Sequence, residues 1–408
     1  MWLRSAAWAY RAKGIFMDIT LNDEQTMIAT SALEFAKGAV NAQRIRDLET
    51  TEDGFDRAIW GKMVDLGWAG AVFPAEYGGS GLGLFELSLI IEALGQGAVP
   101  SPIFSTVVEA GLLLLDAGSV QQRAYWLPRI ADGRSILTTA ISEPGGGLLR
   151  EQICTLVEPS AGGFRVNGTK LFVRDAGVAD AIICLGRSKS DSDALSLVLV
   201  PVDTPGVERR RLWASGGEAL WEVIFRDVTV PADALVGLAG DAWSHVEQLL
   251  LRGAAMKSAE LVGIGQAALD LTLEYAKTRR QFGQPIGSFQ GVQHHCTEMY
   301  RDLTVCRLLC WQAAARLGNV KNAAREVAMA KAKTGEAIPA LTRIAHQIHG
   351  AIAYYRDYPL ELYYHRAIAA SAAYGDSGHQ RRALSRLLRS ELATFQGEHR
   401  HELSVHPL

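Results

Sequence analysis

The sequence predicts a mainly α-helical protein with a single middle β-domain, and three observations carry that expectation. Apolar residues recur at helical spacing from residue 22 to about 135, shift toward a period of two between about 136 and 235, and return to helical spacing after Gly240. Strands confined to one segment, not alternating with helices, argue against a doubly wound nucleotide-binding domain. No Gly-x-Gly-x-x-Gly opens a helix after a strand, where a dinucleotide would need it. The 408 residues, 48% hydrophobic and 21% charged, are enough to bury the cores of two or three domains.

Residues 1–16 form an N-terminal extension containing Arg4, Arg11 and Lys13, several alanines and no acid. That composition partly resembles a transit peptide, but an ordinary extension is the preferred reading. A helical domain over 17–135 opens at Asn22-Asp23-Glu24-Gln25, where Asn22 can cap and Gln25 can reach back. Ile28, Ala32 and Phe35 then mark one apolar face, and Leu84 to Leu94 makes a further helical run before Gly95. Between these, Pro74 to Gly81 carries loop chemistry.

The β-domain spans 136–238. Phe164-Arg165-Val166 and Lys170 to Val173 flank Asn167-Gly168, a strong hairpin signal. Ala181–Leu185, Leu195–Val200 and Trp221–Val230 are rich in branched and aromatic residues, and Pro201 and Pro231 end two of these strands. A second helical domain over 239–395 contains runs at 243–275, 291–317, 323–350 and 361–373, followed by a tail at 396–408.

A formal net charge of −3 gives no general basic surface for nucleic acid. The cluster Arg381, Arg382, Arg386 and Arg389 reads as a solvated helix face. Five cysteines without a Cys-x-x-Cys pair argue against a disulfide framework or a zinc site, and suit a reducing, cytoplasmic setting. Cys306 and Cys310 fall in the helical series Met299, Leu303, Cys306, Cys310, Ala313, Leu317 and read as small core residues. The apolar stretch from Ala110 to Ala117 is too short, and too near Glu109 and Asp116, to cross a membrane.

The most informative segment is Arg279-Arg280-Gln281-Phe282-Gly283-Gln284-Pro285-Ile286, followed by Phe289-Gln290. Arginines here also suit a helix C-terminus, so the residues alone fit an ordinary helix connection. The pattern nevertheless resembles the signature of the acyl-CoA dehydrogenase family, of the bacterial fatty-acid or steroid-side-chain type, and residues 20 to 390 follow that family in order. Trp60 to Gly83 and Phe225 to Pro231 add to the likeness.

The resemblance implies an N-terminal helical domain, a β-barrel domain and a C-terminal four-helix bundle. It also implies FAD as cofactor, an acyl-CoA substrate of fatty acid β-oxidation, an electron-transfer flavoprotein as partner, and a homotetramer or heterotetramer. Arg279, Gln281 and Phe282 would contact the FAD of a neighbouring subunit, the guanidinium fork suiting a pyrophosphate. Gln290, Gln347 and Gly350 would address the same nucleotide, with Ala351 and Ala353 replacing family glycines and narrowing the groove. Ser142, in Thr139-Ala140-Ile141-Ser142-Glu143-Pro144, and Phe172 would lie at the flavin ring. Arg174 stands where a threonine commonly donates near N5. The family's Ser-Asp pair after this run is absent from Gly145-Gly146-Gly147-Leu148-Leu149.

The family's reaction needs a carboxylate to take the α-proton. Tyr374 occupies the usual position of that glutamate, and an ordinary phenol, with pKa near ~10, is a poor base at neutral pH. The alternative family position corresponds to Leu251 and is also empty. Glu247, about 6 Å earlier along the helix, and Asp376, two residues past Tyr374 and also able to face the FAD ribityl side, are the substitutes. Three functions follow: an acyl-CoA dehydrogenase using one of these, a non-catalytic FAD-binding subunit of a heteromeric dehydrogenase, or another flavin oxidase or monooxygenase on the same fold.

Overall fold

The computed structural model describes residues 20–146, 149–191, 193–319 and 323–399. The extension at 1–16 and the tail from residue 400 lie outside the described residues. Helices α1 (Asp23–Ala39), α2 (Ala42–Glu49), α3 (Arg57–Asp65) and α4 (Leu84–Gln96) come first. A π-helical turn, Phe104–Gly111, runs into α5 (Leu112–Ala117), and α6 (Val120–Ala131) closes the set. Asn22 accepts from the Gln25 N–H at 2.8 Å while Gln25 Oε1 accepts from the Asn22 N–H at 3.1 Å, so the expected capping box starts α1.

The middle strands are β1 (Leu137–Ala140), β2 (Leu156–Ser160), β3 (Gly163–Arg174), β4 (Ala181–Arg187), β5 (Leu195–Pro201), β6 (Val207–Leu212), β7 (Leu220–Pro231) and β8 (Leu235–Val236). They form one sheet in the order β6-β7-β3-β2-β4-β5-β8, with β1 parallel to β4. Strands β4 and β5 are apolar apart from Arg187 and Ser196 because each faces two cores. Ile183, Leu185, Leu197 and Leu199 join the core shared with the helices, whereas Ile182, Cys184, Val198 and Val200 point into the core within the sheet.

One expectation is corrected here. Asn167-Gly168 is not a hairpin turn: β3 runs through it, and the turn falls earlier, between Ser160 and Gly163. The ladder to β7 instead shifts register between Val166 and Gly168. Asn167 Oδ1 accepts from the Asp227 N–H at 2.8 Å across that shift, and a Cβ on Gly168 would stand 2.4 Å from Thr155 Oγ1. A polar residue and a glycine thus mark a bulge and a close approach instead of a reversal.

The second helical domain consists of α7 (Trp243–Thr278), a small hairpin of β9 (Arg280–Gln281) and β10 (Gln284–Pro285), then α8 (Gln290–Asn319), α9 (Ala324–His349), α10 (Leu360–Ala372) and α11 (Ser377–His399). Met299, Leu303, Cys306, Cys310 and Ala313 are all buried on α8, as their spacing predicts. Helix α4 ends one residue past Gly95, which also lies at a backbone crossing. A Cβ there would sit 2.5 Å from the Glu260 carbonyl, and one on Gly263 would sit 1.9 Å from that of Glu92, so α4 and α7 meet through paired glycines. No helix among the described residues is long and apolar enough to cross a membrane.

A buried ion pair fixes the segment after β1. Lys170 Nζ, fully buried, donates to Glu143 Oε1 at 2.6 Å and to the Ile141 carbonyl at 3.2 Å. The Cys154 and Thr155 N–H groups donate to the same carboxylate at 2.7 and 3.0 Å. Burial alone would raise the Glu143 pKa, but Lys170 and these N–H groups hold it below the usual carboxylate range. Lys170→Met leaves that carboxylate buried without its cation and is expected to cost about 3–5 kcal/mol, read from the midpoint of urea unfolding.

Candidate active site

A cavity of about 390 Å³ lies between the β-domain and the second helical domain. Thr139, Ile141, Ser142, Leu171, Phe172 and Arg174 wall one side; Leu249, Leu250, Ala369, Ala372 and Tyr374 wall the other, and Glu109 also reaches in. The β3–β7 register breaks between Lys170 and Val173, freeing Leu171 and Phe172 from the ladder. Phe172 takes a positive φ of 58° and is 55% exposed, turned out toward the cavity, while the Leu171 N–H donates to the Ser142 carbonyl at 2.9 Å. The Lys170–Glu143 pair thus anchors the two chain segments that form this wall.

Charged groups meet at the seam. Arg174 Nη1 donates to Glu109 Oε1 at 2.9 Å and to Tyr374 Oη at 3.1 Å, and its Nε donates to Glu218 at 3.2 Å. Lys257, on α7, donates to Glu218 at 2.5 Å and to Glu260 at 2.6 Å. Thr139 Oγ1 donates to Glu109 Oε2 at 3.0 Å, and the Tyr374 hydroxyl donates to Glu109 Oε1. Burial works against the Arg174 charge, yet Glu218, Tyr374 and Glu109 outweigh it and hold the guanidinium firmly protonated. Glu109 is carried by the π-helical turn, a rare geometry that recurs at functional sites.

Tyr374 has a positive φ of 55°, unusual for an aromatic residue. Buried Lys331 supports the turn by donating to the Ser371 carbonyl at 2.7 Å and the Gly375 carbonyl at 3.2 Å, and burial draws its pKa down to about 8. The Tyr374 ring packs on Phe104, with centroids 5.7 Å apart, and lies 5.2 Å from the Arg174 guanidinium carbon. Gly253 of α7 makes room for it: a Cβ there would stand 2.2 Å from the ring. Beside this seam Ser105 Oγ donates to Asp175 at 2.5 Å, and burial pushes the Asp175 pKa up to about 7.

Of the residues singled out in the sequence, Ser142, Phe172, Arg174 and Tyr374 all line this cavity. Glu247 does not. It accepts from Trp243 Nε1 at 2.9 Å and lines a separate cavity of about 330 Å³ with Arg150, His379 and Arg386, behind Tyr374. Asp376 is exposed and caps α11, accepting from the His379 N–H at 2.7 Å. Glu109, Glu218 and Lys257 went unassigned in the sequence reading. The available signal for Glu109 was a lone acid inside the apolar run Phe104 to Leu115.

The remaining candidates lie on the surface and outside the cavity. Arg279, Gln281, Phe282, Gln290, Gln347 and Gly350 are all exposed. Phe282 sits at the tip of the β9–β10 hairpin with φ of 51° and is 91% exposed. Tyr275 stacks on His349 at 4.4 Å, so the C-terminal ends of α7 and α9 share one end of the bundle. That end collects the Arg279 guanidinium, the three side-chain amides of Gln281, Gln290 and Gln347 and the exposed Phe282 ring, a donor set that fits a dinucleotide. Ala351 is exposed at this end, whereas the Ala353 methyl is buried in the core and does not narrow a surface groove.

A helical domain, a β-domain and a second helical domain meet around this cavity, and an exposed set of hydrogen-bond donors lies apart from it at the bundle end. The Acyl-CoA dehydrogenase N-terminal, middle and C-terminal domain models match residues 22–134, 138–228 and 240–388. The chain belongs to the acyl-CoA dehydrogenase family and is an FAD-dependent oxidoreductase. It is 30% identical over 360 residues to acryloyl-CoA reductase (NADH) of Anaerotignum propionicum, covering 86% of this chain and 91% of that protein. The structure of butyryl-CoA dehydrogenase from Megasphaera elsdenii superposes with a TM-score of 0.86 at 25% identity, covering 91% of this chain and all of that one. An FAD complex of PigA superposes with a TM-score of 0.85 at 27% identity, covering 91% and 99%.

Two outcomes follow from this geometry. Gly253→Ala is expected to push the Tyr374 ring from its place and destabilise the chain by about 1–3 kcal/mol, measured by thermal unfolding. Asp175 has a folded pKa near 7 against an ordinary value of ~3.9, so its folded form keeps a proton that the unfolded chain releases. Stability therefore falls as pH rises from about 4 to 7 and is constant in this respect above 7. Asp175→Asn should remove that loss, gaining up to ~3 kcal/mol more at pH 8 than at pH 5, read from denaturation curves at the two values.

Proposed function

We propose that the chain desaturates an acyl-CoA thioester between its α and β carbons and passes the electrons to an electron-transfer flavoprotein. The observation that carries this reading is the cavity itself. One wall holds Ser142 and Phe172, which resemble the family's flavin-ring contacts, and the opposite wall holds Tyr374, at the position of the family's base, touching the carboxylate of Glu109. FAD, when bound, supplies the acceptor for the β-hydrogen and its electron pair.

Within one chain the flavin-facing wall and the Arg279 end of the bundle are separate, as expected if one nucleotide spans two copies. Arg279 and Gln281 would address the diphosphate from the exposed hairpin, Phe282 would cover it, and Gln290, Gln347 and Gly350 would take the rest of the nucleotide. Leu171, Leu249, Leu250, Ala369 and Ala372 give the acyl group an apolar sleeve, while Glu109, Arg174 and Glu218 form a charged patch within it.

The purified protein is expected to show a visible flavin band that bleaches anaerobically with at least one member of an acyl-CoA panel. Arg279→Ala should weaken FAD retention about 10- to 100-fold, as loss of a charge-assisted hydrogen bond implies, measured by flavin release during dialysis. A colourless protein that gains FAD only with a homologous chain would replace this reading with that of a cofactor-contributing subunit. Oxygen-dependent turnover without desaturation would mark an oxidase or monooxygenase.

A further inference from the structure

We propose that Tyr374 and Glu109 act together as the proton acceptor of this reaction, the phenol receiving the α-proton while handing its own to the carboxylate. The inference rests on the desaturation reading and assigns it a base. Glu109 and Glu218 are the carboxylates lining the cavity. Glu218 is committed elsewhere: it accepts from Lys257 at 2.5 Å and from Arg174 at 3.2 Å, and these cations hold it far below the usual carboxylate range despite its burial. A carboxylate so stabilised in its charged form is a poor acceptor of protons.

Glu109 is placed differently. Its Oε1 receives the Tyr374 hydroxyl and one Arg174 N–H, and its Oε2 receives the Thr139 hydroxyl. The phenol is therefore oriented by contact with the very atom that would take its proton. Tyr374 is also held rigidly, by Phe104 on one side, by the space left at Gly253 on another, and by Lys331 beneath its turn.

Burial raises the Tyr374 pKa well above that of an ordinary phenol, so the resting group is neutral and must release its own proton as it accepts another. The Cα–H bond breaks and its proton goes to Tyr374 Oη, while the phenolic proton passes to Glu109 Oε1. The Cα–H electron pair becomes the new Cα=Cβ bond, and FAD, when bound, would supply the acceptor for the β-hydrogen with its own pair. Arg174 Nη1 lies 3.1 Å from Tyr374 Oη and 2.9 Å from Glu109 Oε1, beside both oxygens on which negative charge sits during transfer.

The test is anaerobic stopped-flow reduction of the FAD-loaded protein by an acyl-CoA that bleaches the wild type, with and without deuterium at Cα. Glu109→Gln and Tyr374→Phe should each slow reduction by about 10²- to 10⁴-fold, retain the flavin band, and leave acyl-CoA binding within tenfold when read by perturbation of that band. Glu109→Asp, which keeps a carboxylate, should recover part of the rate with an enlarged isotope effect. Should Glu109→Gln lose FAD or substrate, the Tyr374→Phe rate decides. Reduction of either variant at the wild-type rate overturns the relay but leaves desaturation standing, as does loss of reduction in Glu247→Gln or Asp376→Asn with Glu109→Gln unimpaired. A wild type that no acyl-CoA bleaches overturns both.

Discussion

Arg174 is the point on which the three parts of the chain converge. Its guanidinium leaves β3 and meets Glu109 from the first helical domain, Glu218 from the β-domain, and Tyr374 from the turn between α10 and α11. Lys257 extends the cluster onto α7 through the same Glu218. Charges removed from water persist only where opposite charges and hydrogen bonds replace the lost hydration. Here that requirement can be met only when all three parts are docked, so the cluster specifies how they dock as well as what lines the cavity.

The same cluster gives the cavity its chemical character. A sleeve of leucine and alanine alone would be indifferent to protons, but this one contains a paired guanidinium, a phenol and a carboxylate in mutual contact. Low-dielectric surroundings strengthen each interaction and penalise any that is left unmade. The backbone pays part of the cost locally, with positive φ at Phe172, Asp175 and Tyr374, all of them at or next to the cavity. At Tyr374, Gly253 leaves room for the ring and Lys331 braces the turn.

Much of the architecture was legible in the sequence because local signals and tertiary environment agree. Asn22 and Gln25 announce α1 by chemistry that works within four residues, and the apolar series on α8 reflects a single buried face. Asn167-Gly168 misled because the glycine answers to Thr155, a neighbour distant in sequence. Ser142, Phe172 and Arg174 were singled out through the family resemblance, and they line the cavity. Glu109 was not, because an acid in an apolar helix gives no indication of its partners, and the π-helical turn alters the face it occupies. Glu247 and Asp376 have local occupations, one accepting from an indole and the other capping a helix, that proximity in sequence to the expected base does not reveal.

The two-sided burial of β4 and β5 bears on how such a protein can be altered. Alternate residues of these strands belong to different cores, one internal to the sheet and one contributed by helices that precede and follow it. The middle quarter of the chain is thus a segment by topology, but its packing is shared with the helices around it. Exchange of this region between homologues would have to carry its helical counterparts along, because half of each buried strand packs on residues outside the sheet.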